Sequence, residues 1–235
     1  MTDGDYSVSY DPDADFDRYY TLATSRAIAP HIKTTDTVIE LGSATALMAA
    51  EIISLSPVAH WLGIERSETY LEKARARHLP NAEFVKGDLN DLPQLDRCFD
   101  HVLATNVLHE VADPLVFLAA CRDLTGSGGK VHLTLQNPSS IHRLAALEMG
   151  LIESLTEVAS RGAQWGTTRL WSADDLSALA EQAGLRTMSR AGVLLKPLPN
   201  ADMEKLAPTV MDGFERAGRY FPEHCAMNYL VLGHA

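Results

Sequence analysis

Cysteine, positive charge and long apolar runs are all in short supply in this 235-residue chain. The three cysteines, Cys98, Cys121 and Cys225, are odd in number, far apart and form no CxxC pair. Neither a disulfide framework nor a thiolate metal site is expected from them. Lys and Arg number 20 against 31 Asp and Glu, a formal net charge of −11, so the clustered basic residues of a nucleic-acid footprint are missing. No apolar stretch approaches the ~20 residues that a bilayer-spanning helix requires. The acidic start MTDGDYSVSYDPDADFD reads as neither a signal nor a transit peptide. A cytoplasmic protein without nucleic-acid or membrane partners is expected. No internal repeat, low-complexity tract or Pro/Gly-rich linker divides the chain, which predicts one domain over 1–235.

What is present is an alternation of β-branched runs with helical periodicity. The apolar content of 46% is enough for one large α/β domain with an added lid. Phe16, Tyr19, Tyr20, Ala23 and Ala27 fall at helical spacing, and Pro30 stops that helix. Strands are predicted at Val38–Ile39, His60–Glu65, Glu83–Gly87, Asp100–Asn106 and Lys130–Gln136, with Gly126–Gly129 as a turn. Asp113-Pro114 is an N-cap followed by proline at the first helical position. Strand–helix alternation implies a parallel sheet with right-handed crossovers. The rhythm then changes. Residues 139–156 read as a long helical run, and a Gly/Trp/Thr-rich loop follows to Trp171. Ser172 with Asp175 opens another helix that Gly184 closes, Leu185–Leu195 reads as a strand, Met203–Phe214 as a helix kinked at Pro208, and Met227–Gly233 as a last strand.

The stretch Thr37–Ala49, TVIELGSATALMA, is strand, tight turn and helix, the unit beside which open α/β sheets hold ligands. Glu40, Glu65 and Asp88 each stand at or just past the end of successive strands, so a parallel sheet puts all three carboxylates on one crevice. Glu65 follows Gly42 by 23 residues, close to the spacing at which an acid takes the hydroxyls of a ribose. A nucleoside pocket results, and two ligands compete for it. A nicotinamide dinucleotide needs further glycines to bring backbone N–H groups to its pyrophosphate, where this chain has Ala44 and Ala46, and no YxxxK pair occurs. An S-adenosyl cofactor carries no phosphate, and its cationic sulfonium and ammonium suit an acidic crevice.

These residues resemble a class I S-adenosylmethionine-dependent methyltransferase of small-molecule type, by motif over Val38–Gln136. ELGSATA at 40–46 is similar to the family's acid-x-Gly-x-Gly-x-Gly turn, with alanine for glycine at 44 and 46. Alanine permits a right-handed turn there but not φ > 0 at low cost. Glu65 matches the acid on the ribose, Asp88 with Leu89 the pair near the adenine, and NVLHEVADP at 106–114 the segment after the fourth strand. The resemblance implies a Rossmann-like α/β fold, seven strands with only the last antiparallel and helices on both faces. It also implies S-adenosyl-L-methionine as cofactor, S-adenosyl-L-homocysteine as product, and cofactor contacts from Glu40, Gly42, Ala44, Glu65, Arg66, Asp88, Leu89, Asn106 and Tyr20.

The acceptor is expected over strands four and five, under a helical lid at 139–171, with an N-terminal helix at 11–30 covering the cofactor cleft. His142 and His109 are the candidate bases; a packed histidine is the plainer role for His109. Tyr19, Asn137, Arg143, Trp165 and Arg169 are candidate acceptor contacts, with Trp171 as a further wall and Lys196 within reach of the cleft. The arginines would neutralise a carboxylate or phosphate. No HExxH or carboxylate metal cluster is legible, so metal-independent transfer to a small oxygen, nitrogen or acidic-carbon acceptor is expected. The alternative is a descendant that binds the cofactor without methylating. A homodimer is compatible with the sequence.

Overall fold

The computed structural model describes residues 10–92, 95–158 and 169–235. Its sheet contains β1 (Thr37–Leu41), β2 (His60–Glu65), β3 (Ala82–Lys86), β4 (Phe99–Thr105), β5 (Thr125–Gln136), β6 (Leu185–Val193) and β7 (Met227–His234), in the order β3-β2-β1-β4-β5-β7-β6. From β3 to β5 the neighbours pair in parallel, and β7 lies antiparallel between β5 and β6. The fold is therefore the Rossmann-like seven-stranded sheet with its last strand reversed.

Strand periodicity divides the core. Val38, Trp61 and Leu103 join one apolar cluster, whereas their neighbours Ile39, Leu62 and Val102 join another across the sheet. The first cluster is closed by α1 (Asp17–Ile28), α2 (Leu47–Leu55) and α3 (Glu68–Ala76), through Ile28, Ile52 and Leu71. The second is closed by α4 (Pro114–Leu124) and, after α5 (Ile141–Glu148), by α6 (Ala173–Gln182), through Leu118 and Leu176. Local caps set where these helices begin. The Asp113 carboxylate accepts from the N–H groups of Leu115 and Val116, and Ser172 and Asp175 form a reciprocal capping box, each worth about 1 kcal/mol.

Three elements differ from the sequence-based expectation. The helix after β5 ends at Glu148 instead of running to 156. Gly150 takes φ +67, its N–H bonds Leu147 O and that of Leu151 bonds Ala146 O, a Schellman end that needs a left-handed residue. Pro208 starts α8 (Pro208–Ala217), separate from α7 (Asn200–Met203), because a residue without an N–H is best placed in the first turn. The glycines at 126–129 lie within the span of β5 but loop out of register: Thr125 pairs with Phe99 and Lys130 with His101. No helix among the described residues is long and apolar enough to cross a membrane.

Candidate functional site

The turn after β1 is left-handed at alternate residues: Gly42 at φ +81, Ala44 at +42 and Ala46 at +60. Both alanines thus take the positive φ that is not reached at low cost by a residue with a Cβ. A left-handed alanine costs about 1–2 kcal/mol, so neighbouring groups must hold the turn. Glu65 does so first: its Oε2 accepts the Ala44 N–H at 2.9 Å and its Oε1 the Ser67 N–H at 2.8 Å. Arg77 donates from Nε to Thr45 O at 2.6 Å and pairs with Asp13, whose other oxygen accepts from the Thr45 hydroxyl at 2.6 Å. At Gly42 itself, an added Cβ would stand 2.6 Å from Val107 Cγ1, so this position excludes side chains for space as well as φ.

Above the turn lies a cavity of about 370 Å³ at the carboxyl ends of β1, β2, β4 and β5. Glu40, Glu65 and Asp88 all line it, as do Gly42, Ala44, Arg66, Leu89, Asn106 and Tyr20. The three carboxylates read from the strand ends therefore meet in one place. Asp88 spends Oδ1 on the backbone and side-chain amides of Asn90, which turns the chain beneath Leu89. Asn106 is held at φ +55 with its N–H on Thr134 O. Arg66 faces Glu110 at 3.9 Å on the exposed rim.

Of the acceptor candidates, His109, Asn137, His142, Arg143 and Lys196 line the same cavity. Tyr19 does not: it packs on Phe16 at 5.1 Å between ring centroids, under the Arg18 guanidinium. Arg169 also lies off the cavity wall, over the ring of Trp171, which is itself buried in the α4–α6 core. Trp165 lies outside the described residues. Asn137 donates its amide to the carbonyls of Glu223 and Cys225, and so ties β5 to the start of β7. Arg143 donates to the carbonyls of Leu155 and Glu157, which occupies its guanidinium in folding residues 149–157 back on α5. Tyr10, Asp17, Met48 and Gln136 also face the cavity. Sequence spacing carried no signal for them, because they arrive from a loop, two helices and a strand end that only the packing juxtaposes.

Five buried polar atoms on this wall have no hydrogen-bond partner: Glu40 Oε2, Ser43 Oγ, His109 Nδ1, Gln136 Oε1 and His142 Nδ1. Such groups cost about 1–3 kcal/mol each if left unpaired. Their gathering on one cavity fits a polar ligand with donors and acceptors of its own. Burial and the adjoining Glu65 charge push Glu40 up to about 8, against the opposing pull of the Trp61 indole, and burial also raises Glu65. A cation seated here lowers the Glu40 value again. Cofactor binding at pH 7.5 is therefore expected to release up to one proton from Glu40. Titration calorimetry in phosphate and in Tris should give different heats for the parent and equal heats for Glu40→Gln; equal heats for both would remove Glu40 from the ligand's field.

The sheet order and the acid-lined strand ends define a Rossmann-like α/β protein that holds a nucleoside. Residues 38–129 match the family model described as "Methyltransferase domain". The ubiquinone biosynthesis O-methyltransferase of Dinoroseobacter shibae is 34% identical over 103 residues, spanning 43% of this chain and 39% of that protein. The alignment thus covers less than half of this curated relative's length. A Thermotoga maritima structure described as a S-adenosylmethionine-dependent methyltransferase, possible histamine N-methyltransferase, superposes with TM-score 0.67 at 18% identity, covering 98% of this chain and 97% of that one. The [4+2]-cyclase SpnF superposes with TM-score 0.65 at 16% identity, covering 96% and 85%. The family model over residues 38–129, the motif and the fold together support a class I S-adenosylmethionine-dependent methyltransferase domain, with S-adenosylmethionine as the cofactor that family uses.

Proposed function

We propose that this protein transfers a methyl group from S-adenosylmethionine to an oxygen, nitrogen or acidic carbon of a small-molecule acceptor. The observation that carries the proposal is one cavity lined both by the acidic strand ends and by residues of α5 and of the segment after β6. The cofactor supplies a methyl on a positively charged sulfur, already activated for in-line displacement. In this reading Glu65 takes the ribose diol, Asp88 and Leu89 flank the adenine, and Glu40 balances the cationic end. In the same reading Tyr20 on the N-terminal helix covers the cofactor, and α5 with the residues up to 158 shields the acceptor from water, residues 159–168 of the expected 139–171 lid lying outside the described residues.

Proton removal falls to His142 or His109. Burial, with Lys196 and Arg143 adding their positive fields, pushes His142 down to about 3, and burial alone takes His109 down to about 4. Both imidazoles are neutral at physiological pH and each has a ring nitrogen open to accept a hydrogen bond, but each is a weak base in the empty cavity, since proton-transfer efficiency falls when the pKa is far below the working pH. That weakness favours a second reading, in which the chain binds the cofactor without transferring its methyl group. Calorimetry with S-adenosylmethionine and S-adenosylhomocysteine, followed by assay of S-adenosylhomocysteine formation against small phenols, amines and carboxylic acids, separates the two. Binding of both with product formation on any acceptor supports methyl transfer. Binding without turnover across the whole set supports the second reading, and no heat from either nucleoside removes both.

A further inference from the structure

We propose that Lys196 and His142, which line the cavity together with the acidic strand ends, form a carboxylate site that receives an acidic group of the acceptor. The proposal rests on the methyl-transfer reading and names the acceptor class for it.

The placement of Lys196 is the first argument. Lysine is rarely buried fully without a polar or functional reason, yet Lys196 is only 3% exposed and lines the cavity. The backbone is bent to put it there. Leu194, two residues earlier, sits at φ +58 and is anchored by the Ala226 N–H on its carbonyl at 2.8 Å. A left-handed leucine is costly and persists where the surroundings over-determine it, commonly at ligand sites. The ammonium donates to Leu198 O at 3.1 Å and Asn200 Oδ1 at 2.9 Å, and the same Asn200 oxygen accepts from the Tyr20 hydroxyl at 3.1 Å. One hydrogen-bonded group therefore links the lysine to the helix that covers the cofactor.

The second argument is His142. Its Nδ1 is buried and unpartnered on the same wall, and both Lys196 and Arg143 act on the ring with positive charge. The two arginines that the sequence offered for an acidic acceptor are otherwise engaged: Arg143 on the carbonyls of Leu155 and Glu157, Arg169 on Trp171 outside the cavity. Among the described residues, the other cations lining the cavity are Arg66 on the exposed rim and Lys196, whose ammonium is buried beside His142. The cavity's acids, Asp17, Glu40, Glu65, Asp88 and Glu110, disfavour an acceptor carboxylate beside them, which leaves the Lys196 ammonium as the group that would attract it. Once there, the anion offsets the fields of Lys196 and Arg143 at His142 and raises its basicity. The acceptor's own acid group thus acts on the electrostatic part of the lowering at His142, while burial, the larger part, stays.

The methionyl carboxylate of the cofactor is the other source of the same chemistry, and the test separates the two. Protein saturated with S-adenosylhomocysteine is titrated with benzoate and with its neutral isostere benzamide. A charge-assisted hydrogen bond of ~1.5–3 kcal/mol predicts that benzoate binds about tenfold tighter or more, and that Lys196→Met erases the preference. In a separate arm, Lys196→Met is titrated with S-adenosylhomocysteine and with 5′-methylthioadenosine, which lacks the amino-acid tail. Similar affinity to the parent for both nucleosides assigns the site to the acceptor. A loss confined to S-adenosylhomocysteine assigns it to the cofactor and overturns the proposal. Equal binding of benzoate and benzamide by the parent, or no binding of either, also overturns it, and needs no variant to fold. The imidazole resonances of His142 give a further readout that a structural lysine would not move: benzoate should raise the pH at which they titrate. Should S-adenosylhomocysteine itself fail to bind the parent, the methyl-transfer reading falls instead.

Discussion

Replacing Glu65 with alanine is expected to weaken S-adenosylhomocysteine binding more than a hundredfold. This carboxylate is buried at the end of β2 and serves two backbone donors, the N–H of Ala44 and that of Ser67. Each bond to a charged acceptor is worth about 1.5–3 kcal/mol, and its loss leaves a donor unpaired. The Ala44 bond also holds the left-handed turn over which the cofactor would lie, so the variant forfeits the turn geometry together with the proposed ribose contact. Glu65→Gln keeps one acceptor oxygen but turns an amide toward the other donor, and an intermediate loss of about tenfold is expected. Calorimetry gives the affinities, and thermal unfolding of the unliganded variants separates the stability cost from the contact. Affinity of Glu65→Ala within threefold of the parent would strike Glu65 from the site.

Acid should destabilise the fold through a different cluster, at the opposite end of β4 and β5. His101 Nε2 lies 3.0 Å from Asp36 Oδ2, His101 Nδ1 2.9 Å from His132 Nε2, and His132 Nδ1 2.7 Å from the Tyr229 hydroxyl. The Asp36 carboxylate can only accept, which settles the tautomers of a neutral chain. His101 donates to Asp36, His132 donates to His101, and Tyr229 donates to His132. A proton added to either ring would turn Tyr229 from donor to acceptor and place a charge in the buried sheet layer. Burial above all, then the charges of His101, His31 and Lys130, holds His132 well below the ordinary histidine range. Burial and Lys130 likewise lower His101, against the opposing pull of Asp36 and Asp100, and His31 is lowered by burial and by Lys130 and His101.

The sign follows from linkage. These histidines stay neutral in the native state while the unfolded chain protonates them below about pH 6.5, so stability is present above that pH and is lost as pH falls. By pH 5 each histidine kept neutral contributes a loss of up to about 2 kcal/mol. Glu40 and Glu65, whose values are raised, act with the opposite sign over much of the same window. The decisive measurement is therefore a difference: urea midpoints at pH 7.5 and pH 5 for the parent and for His132→Gln. The variant should be less stable at pH 7.5 and lose less on acidification. An equal loss in both would show that His132 does not titrate with unfolding.

The acid-ended strands, the turn at Gly42 and the capping residues at 113 and 172 could all be read from order and spacing, because each expresses a local rule. A strand buries alternate residues, a helix needs acceptors for its first N–H groups, and a parallel sheet brings its carboxyl ends to one edge. The seven-stranded order came from family likeness, and Gly150 shows how a local signal can be passed over: the glycine that ends α5 was plainly there. What spacing could not reveal was how the turn tolerates alanine. That depends on Glu65, Arg77 and Asp13 converging from three separate segments.

The sequence alone determined the class of fold and the acidic half of the cavity, since both follow from residues repeated at fixed intervals along the chain. Only the tertiary structure decided which cations line the cavity. It engaged Arg143 on its own backbone, left Tyr19 and Arg169 off the cavity wall, and brought Lys196 beside His142. The physical reason is distance along the chain. Charges held across 54 residues share a wall only after β5, β6 and β7 have paired, and no periodicity records that pairing.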